Sequence, residues 1–168
     1  MRILVAGVGN IFYGDDGFGP AVARRLLREG PPPGTRVVDY GIRGLHFAYE
    51  LLEPLDRLVI VDAMQRSEEP GTLYVVEPDL DALFERQAPD AHGMHLPAVF
   101  AQVRALGAVM PPTVIVGCEP LDVDEGMGLS APVARSVDAA VSWVREIVGR
   151  ERRGAVESHA RREAERWG

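Results

Sequence analysis

Short apolar runs alternate with amphipathic stretches along most of this chain, and each run marks a strand or one face of a helix. Ile3–Val8 is almost wholly apolar and rich in Ile and Val, the pattern of a strand buried on both faces of a parallel sheet. Residues 21–28 then place Val22, Leu26, Ala23 and Leu27 inward and three arginines outward, which predicts a helix. The Gly/Pro cluster at 29–34 ends it, and 35–39 reads as a second strand. A helix is expected at 45–52, with Leu45, Ala48, Tyr49 and Leu52 at helical spacing, followed by the clearest buried strand at 57–64. The run at 72–77 alternates more and belongs nearer a sheet edge. Residues 80–86 allow one or two helical turns, and 96–106 form a helix whose Val99, Phe100, Val103 and Leu106 share a face. Thr113–Cys118 is the fifth strand. Ser130 is placed as the N-cap of a final helix, with Pro132 in its first turn and a stripe of Val133, Val137, Ala140, Val141, Val144 and Val148.

Together these elements predict an α/β protein, a three-layer αβα sandwich around a five-stranded, mostly parallel twisted sheet. Residues 1–148 are expected to form a single domain. Residues 149–168 are dense in both charges and poor in core residues, so they are expected to be a mobile tail, or else a solvent-exposed helix touching a neighbour.

Composition narrows the classes. With 168 residues, 46% of them hydrophobic, the chain can bury a substantial core. A net charge of −7 weighs against nucleic acid as the main partner. Cys118 is the single cysteine, so no intrachain disulfide forms, which fits a cytoplasmic location. It lies within an apolar run and reads as a core residue. No secretory pattern opens the chain, and no run approaches the roughly 18 apolar residues of a membrane span.

Candidate chemistry gathers in the loops. Gly7, Gly9 and Gly14 allow sharp turning after the first strand, and Asp15 and Asp16 follow just before a helix, where one of them could be an N-cap. A dinucleotide site does not fit, because the third glycine of G-x-G-x-x-G would fall at Phe12 and the two acids would repel phosphate. Asp62 closes the strand at 57–64, at the edge where open α/β sheets place their ligands. His92 precedes the helix at 96–106, with His95 as its rival. Asp39 opens a loop bracketed by Gly41 and Gly44, which can equally be a plain turn. Asp122, Asp124 and Glu125 read as solvated surface. Loops after parallel strands meet along one sheet edge, so Asp16, Asp62 and His92 can converge. Two carboxylates and an imidazole suit zinc or nickel better than magnesium. No His-Glu-x-x-His, Cys-x-x-Cys or Gly-x-Ser-x-Gly pattern offers another mechanism.

Gly7-x-Gly9-Asn10 through Asp15-Asp16-Gly17-x-Gly19 resembles the signature of the hydrogenase maturation proteases, endopeptidases that trim the C-terminal extension of the nickel-iron hydrogenase large subunit. Asp39, Gly41 and Gly44 match the family's Asp-x-Gly-x-x-Gly element, and Gly117-x-x-Pro120 and Gly128-Leu129-Ser130-x-Pro132 extend the similarity to about Val148. The resemblance implies that Asp16, Asp62 and His92 are the metal ligands and catalytic centre. It implies that the metal is nickel already seated in the precursor, with zinc or a similar ion able to replace it in vitro. Asp39 is the candidate for an assisting base. The implied partner is a nickel-iron hydrogenase large-subunit precursor, with no nucleic acid and no membrane insertion. Asp16 is one methylene shorter than the glutamate that some members use. The same residues also allow a non-catalytic metal- or partner-binding module, or third, a flavodoxin-like nucleotide binder.

Overall fold

The computed structural model describes residues 1–79 and 96–167. Five strands are present: β1 (Ile3–Val8), β2 (Thr35–Gly41), β3 (Arg57–Ala63), β4 (Leu73–Val76) and β5 (Thr113–Cys118). Their order in the sheet is β2-β1-β3-β5-β4, with every pairing parallel except that of β4 with β5. The alternating run therefore forms the antiparallel edge strand, while β1, β3 and β5 lie inside the sheet. β1 and β5 are buried at every position, as strands covered on both faces should be.

Helices α1 (Phe18–Glu29) and α4 (Ala131–Trp167) cover one face, and α2 (Gly44–Glu50) and α3 (Leu96–Ala105) cover the other. The strand period of two sorts the core into two clusters. Ile3, Val5, Val59, Val61, Val114 and Val116 pack with Phe18, Val22, Leu26, Val141, Val144 and Val148. Leu4, Ala6, Val8, Leu58, Ile60 and Ile115 pack with Phe47, Ala48, Leu51, Val99, Phe100 and Val103. This is the expected three-layer arrangement. Among the described residues no helix is long and apolar enough to cross a membrane.

Three local expectations differ from what is found. In α2 the buried residues are Phe47 and Ala48, followed by Leu51, whereas Leu45, Tyr49 and Leu52 are exposed. Apolar residues line both sides of this short helix, so periodicity alone could not choose the inward face. Leu106 lies beyond the end of α3 and is exposed. The final helix does not stop near Val148: its backbone stays helical to Trp167. The Ala, Glu and Arg of the charged segment are strong helix formers, and propensity favours carrying the helix past Val148. The turns expected at 80–86 lie outside the described residues.

Candidate functional site

The first loop is shaped by close approach of backbone to backbone. Gly9 takes φ +124°, and a Cβ there would lie 1.9 Å from the Asp16 carbonyl oxygen. Gly19, near the start of α1, sits so close to the sheet that a Cβ would lie 2.2 Å from the carbonyl oxygens of both Val8 and Val61. Only glycine lets α1 begin directly on the ends of β1 and β3. Between these glycines a 3-10 turn, Gly14–Gly17, carries Asp15 and Asp16.

Asp16 is half-buried, and its Oδ2 accepts the Asn10 N–H at 2.6 Å. Burial pushes its carboxyl above the usual carboxylate range, and the Asn10 bond opposes that rise. Asp62, half-buried in the last positions of β3, lies opposite Gly117 of β5. Its carboxyl is pushed up further, first by burial and then by the negative charge of Asp16, against the bond from the Ala63 N–H. The fold has thus brought together two acids separated by most of two βα units. Neither has an Arg or Lys partner among the described residues. Two neighbouring carboxylates without a cation from the chain form a donor set that fits a divalent ion.

The other expected members are placed differently. Asp39, on β2 beside Gly7 of β1, is engaged by Arg24, whose Nε donates to Oδ2 at 2.7 Å. Its backbone carbonyl accepts from the Arg43 guanidinium. His92 and His95 lie outside the described residues. Among the described residues no group of three His, Cys, Asp or Glu side chains forms a metal cluster.

Two acids that do not figure among the expected site residues proved central to its construction. Asp15 caps nothing: the residue before α1 is Gly17, with no side-chain cap. It is instead fully buried, with its carboxylate turned toward residues 121–130. Glu119, just past β5, is also buried. It accepts the Arg66 N–H at 2.8 Å and the Tyr74 hydroxyl at 2.6 Å, with the Ser67 and Glu68 N–H groups close by. The Tyr74 bond foremost holds its carboxyl below the usual value. Glu119 thereby ties down the loop that follows Asp62. The signal for it was available in principle, since Glu119 follows an apolar strand as Asp62 does. For Asp15 the partners lie more than 100 residues away, and no local pattern points to them.

Residues 20–147 match the family model HycI, hydrogenase maturation protease. The chain belongs to the hydrogenase maturation protease family. The hydrogenase expression/formation protein HupD of Bradyrhizobium diazoefficiens is 34% identical over 152 residues, covering 86% of this chain and 79% of that protein. The hydrogenase 2 maturation protease of Escherichia coli is 29% identical over 147 residues, covering 86% and 88%. Among solved structures, the hydrogenase maturating endopeptidase HybD from E. coli superposes with a TM-score of 0.76 at 26% identity, covering 90% of this chain and 94% of that one. A hydrogenase 2 maturation peptidase from a Thaumarchaeota archaeon gives 0.68 at 29% identity. As in those hydrogenase maturation proteases, the site is carried by an α/β fold with a mixed, mostly parallel five-stranded sheet.

Proposed function

We propose that this protein is the endopeptidase that removes the C-terminal extension from a nickel-iron hydrogenase large-subunit precursor after nickel insertion. The observation that carries this reading is the Asp16–Asp62 pair: two carboxyls held together at a sheet edge, partly withdrawn from water and without an Arg or Lys partner among the described residues, in a chain of this family. Such a pair is destabilising on its own account and gains a purpose when a divalent ion arrives with the substrate. His92 completes the ligand set in this proposal.

A divalent ion bound between substrate and protein would supply Lewis acidity at the scissile carbonyl or to a water. The chain's own residues supply the rest. The Asn10 N–H fixes one oxygen of Asp16 and leaves the other free to bind, and the Ala63 N–H orients Asp62. Asp39 is proposed to assist as a base, with Arg24 holding its carboxylate in place.

The test is to incubate the purified protein with a large-subunit precursor, with and without nickel loaded, and to read the precursor's C-terminus by mass spectrometry. Loss of the extension from the nickel-loaded form alone is expected. Tight binding without cleavage would make the protein a recognition module instead. In the same assay Asp16→Ala, Asp62→Ala and His92→Ala are each expected to lower the rate at least about 100-fold, in the range found for removal of a group that acts in the transition state.

A further inference from the structure

Asp15 has no exposed surface, yet it is an acid without a cation beside it among the described residues. Its Oδ2 accepts the Leu121 N–H at 2.8 Å, the Asp122 N–H at 3.1 Å and the Ser130 hydroxyl at 2.8 Å. Its Oδ1 accepts the Ser130 N–H at 2.6 Å. All four donors come from residues 121–130, three of them on Oδ2 and one on Oδ1. Burial of a polar group is tolerated when it is hydrogen-bonded in this way.

The same segment grips the rest of the first loop. The Asp15 N–H donates to the Asp122 carbonyl at 2.8 Å, the Gly14 N–H to the Gly126 carbonyl at 2.9 Å, and the Gly126 N–H to the Phe12 carbonyl at 2.8 Å. The 3-10 turn is therefore held by residues 121–130. Successive side chains in a turn of about three residues point roughly 120° apart. With Asp15 locked inward, the turn cannot rotate, and the direction of Asp16 is set with it. The Asp16 N–H bond to the Tyr13 carbonyl at 3.0 Å and the Asn10 bond to its carboxylate both depend on that setting.

We propose that Asp15 is a positioning residue for the reaction, aiming the Asp16 carboxylate by locking the turn Gly14–Gly17 to residues 121–130. This rests on the reading that Asp16 belongs to the reacting site. It sets Asp15 apart from the ligands, since its carboxylate has no exposed surface and is turned toward residues 121–130.

Asp15→Asn keeps the shape but turns one oxygen into an amide group that faces N–H and O–H donors. Ser130→Ala removes only the hydroxyl bond. Two readouts separate aim from mere stability: the rate of removal of the extension from nickel-loaded precursor, and the amide proton shift of Asn10 in labelled protein, which reports the Asp16 carboxylate directly. Asp15→Asn is expected to lower kcat by about tenfold or more with KM changed less than about threefold. The Asn10 amide should move upfield while the β1 amides of Leu4 and Val5 stay in place. Ser130→Ala should move both readouts in the same direction, with kcat down about threefold. A folded Asp15→Asn with an unmoved Asn10 amide overturns the proposal, whatever its rate. If Asp15→Asn does not fold, an unmoved Asn10 amide in Ser130→Ala overturns it instead. Wild-type protein that fails to process the precursor counts against the proposed function, and the amide comparison still judges Asp15.

Discussion

At the scale of single residues, stability and function pull apart at Asp62. Burial and the charge of Asp16 both raise its carboxyl above the unfolded value of about 3.9. A group whose folded pKa is raised stabilises the protein while protonated, and that contribution is lost as pH rises through the folded pKa. At neutral pH the unfolded chain ionises this carboxyl freely while the fold disfavours its charge, so the group opposes folding there. Asp62→Asn should melt higher than wild type at pH 7, by a gain of about 1 kcal/mol, or about 3 °C for a chain of this length. The difference should shrink as pH falls and vanish below the unfolded value of about 3.9, where the carboxyl is protonated in both states. Thermal unfolding across that range checks this, and a gap that stays constant with pH would show that ionisation is not its source. Cys118 makes the opposite case of a reactive type without a reactive role. Its thiol is buried and pushed up to about 12, first by burial and then by the charges of Asp15 and Glu119. Iodoacetamide at pH 8 should leave it unmodified in the native protein and alkylate it fully in guanidinium. The placement of Cys118 in the core was legible from its apolar neighbours, and Glu119 follows it in the chain; the charge of Asp15 was not legible, because it arrives from another loop.

At the scale of elements, what the sequence made legible followed from how sharply each run was bounded. Thr113–Cys118 was foreseen to the residue because Pro111-Pro112 and Glu119-Pro120 bracket it. β4 betrayed its edge position by alternation. α2 was foreseen as a helix but not by its buried face, since Leu45, Phe47, Ala48, Tyr49, Leu51 and Leu52 leave no single apolar stripe. The junction of α1 with the sheet was visible only as a glycine in a motif, and its reason is geometric. A Cβ at Gly19 would meet carbonyl oxygens of β1 and β3, which are main-chain atoms and cannot swing aside. Gly19→Ala must lift α1 from the strands and should cost about 3 kcal/mol or more. Gly149→Ala offers the contrast within α4: its Cβ would meet nothing nearer than the end of Arg153 at 3.4 Å. That substitution should stabilise by about 0.5–1 kcal/mol through helix propensity. Chemical denaturation of both variants checks the opposite signs, and equal effects would show that the close approach at Gly19 does not hold in solution.

At the scale of the whole molecule, the loops following β1, β3 and β5 are each fastened by backbone donors rather than by ion pairs among the described residues. None of these fastenings reaches the far end of α4. Among the residues whose side chains are described, the last buried one of that helix is Val148, and beyond it Glu151 pairs with Arg57 at 3.1 Å and Arg152 donates to the Pro33 carbonyl at 2.6 Å. Residues 156–168 hold three acids, Glu157, Glu163 and Glu165, and three arginines, Arg161, Arg162 and Arg166, so their removal leaves the net charge of −7 unaltered. A chain ending at Ala155 keeps both fastenings of α4 and both clusters of the core. The composition of 156–168, rich in both charges and poor in core residues, offers little to pack, and isolated helical turns are marginal in water. Such a chain should melt within about 2 °C of the full-length protein, because a loss below about 0.5 kcal/mol moves Tm no further at this size. It should also process nickel-loaded precursor at the full rate. Thermal unfolding and the cleavage assay together decide the matter: a large drop in Tm would place the folding unit beyond Val148, whereas an intact Tm with a raised KM would make the charged end of α4 part of the surface that receives the precursor.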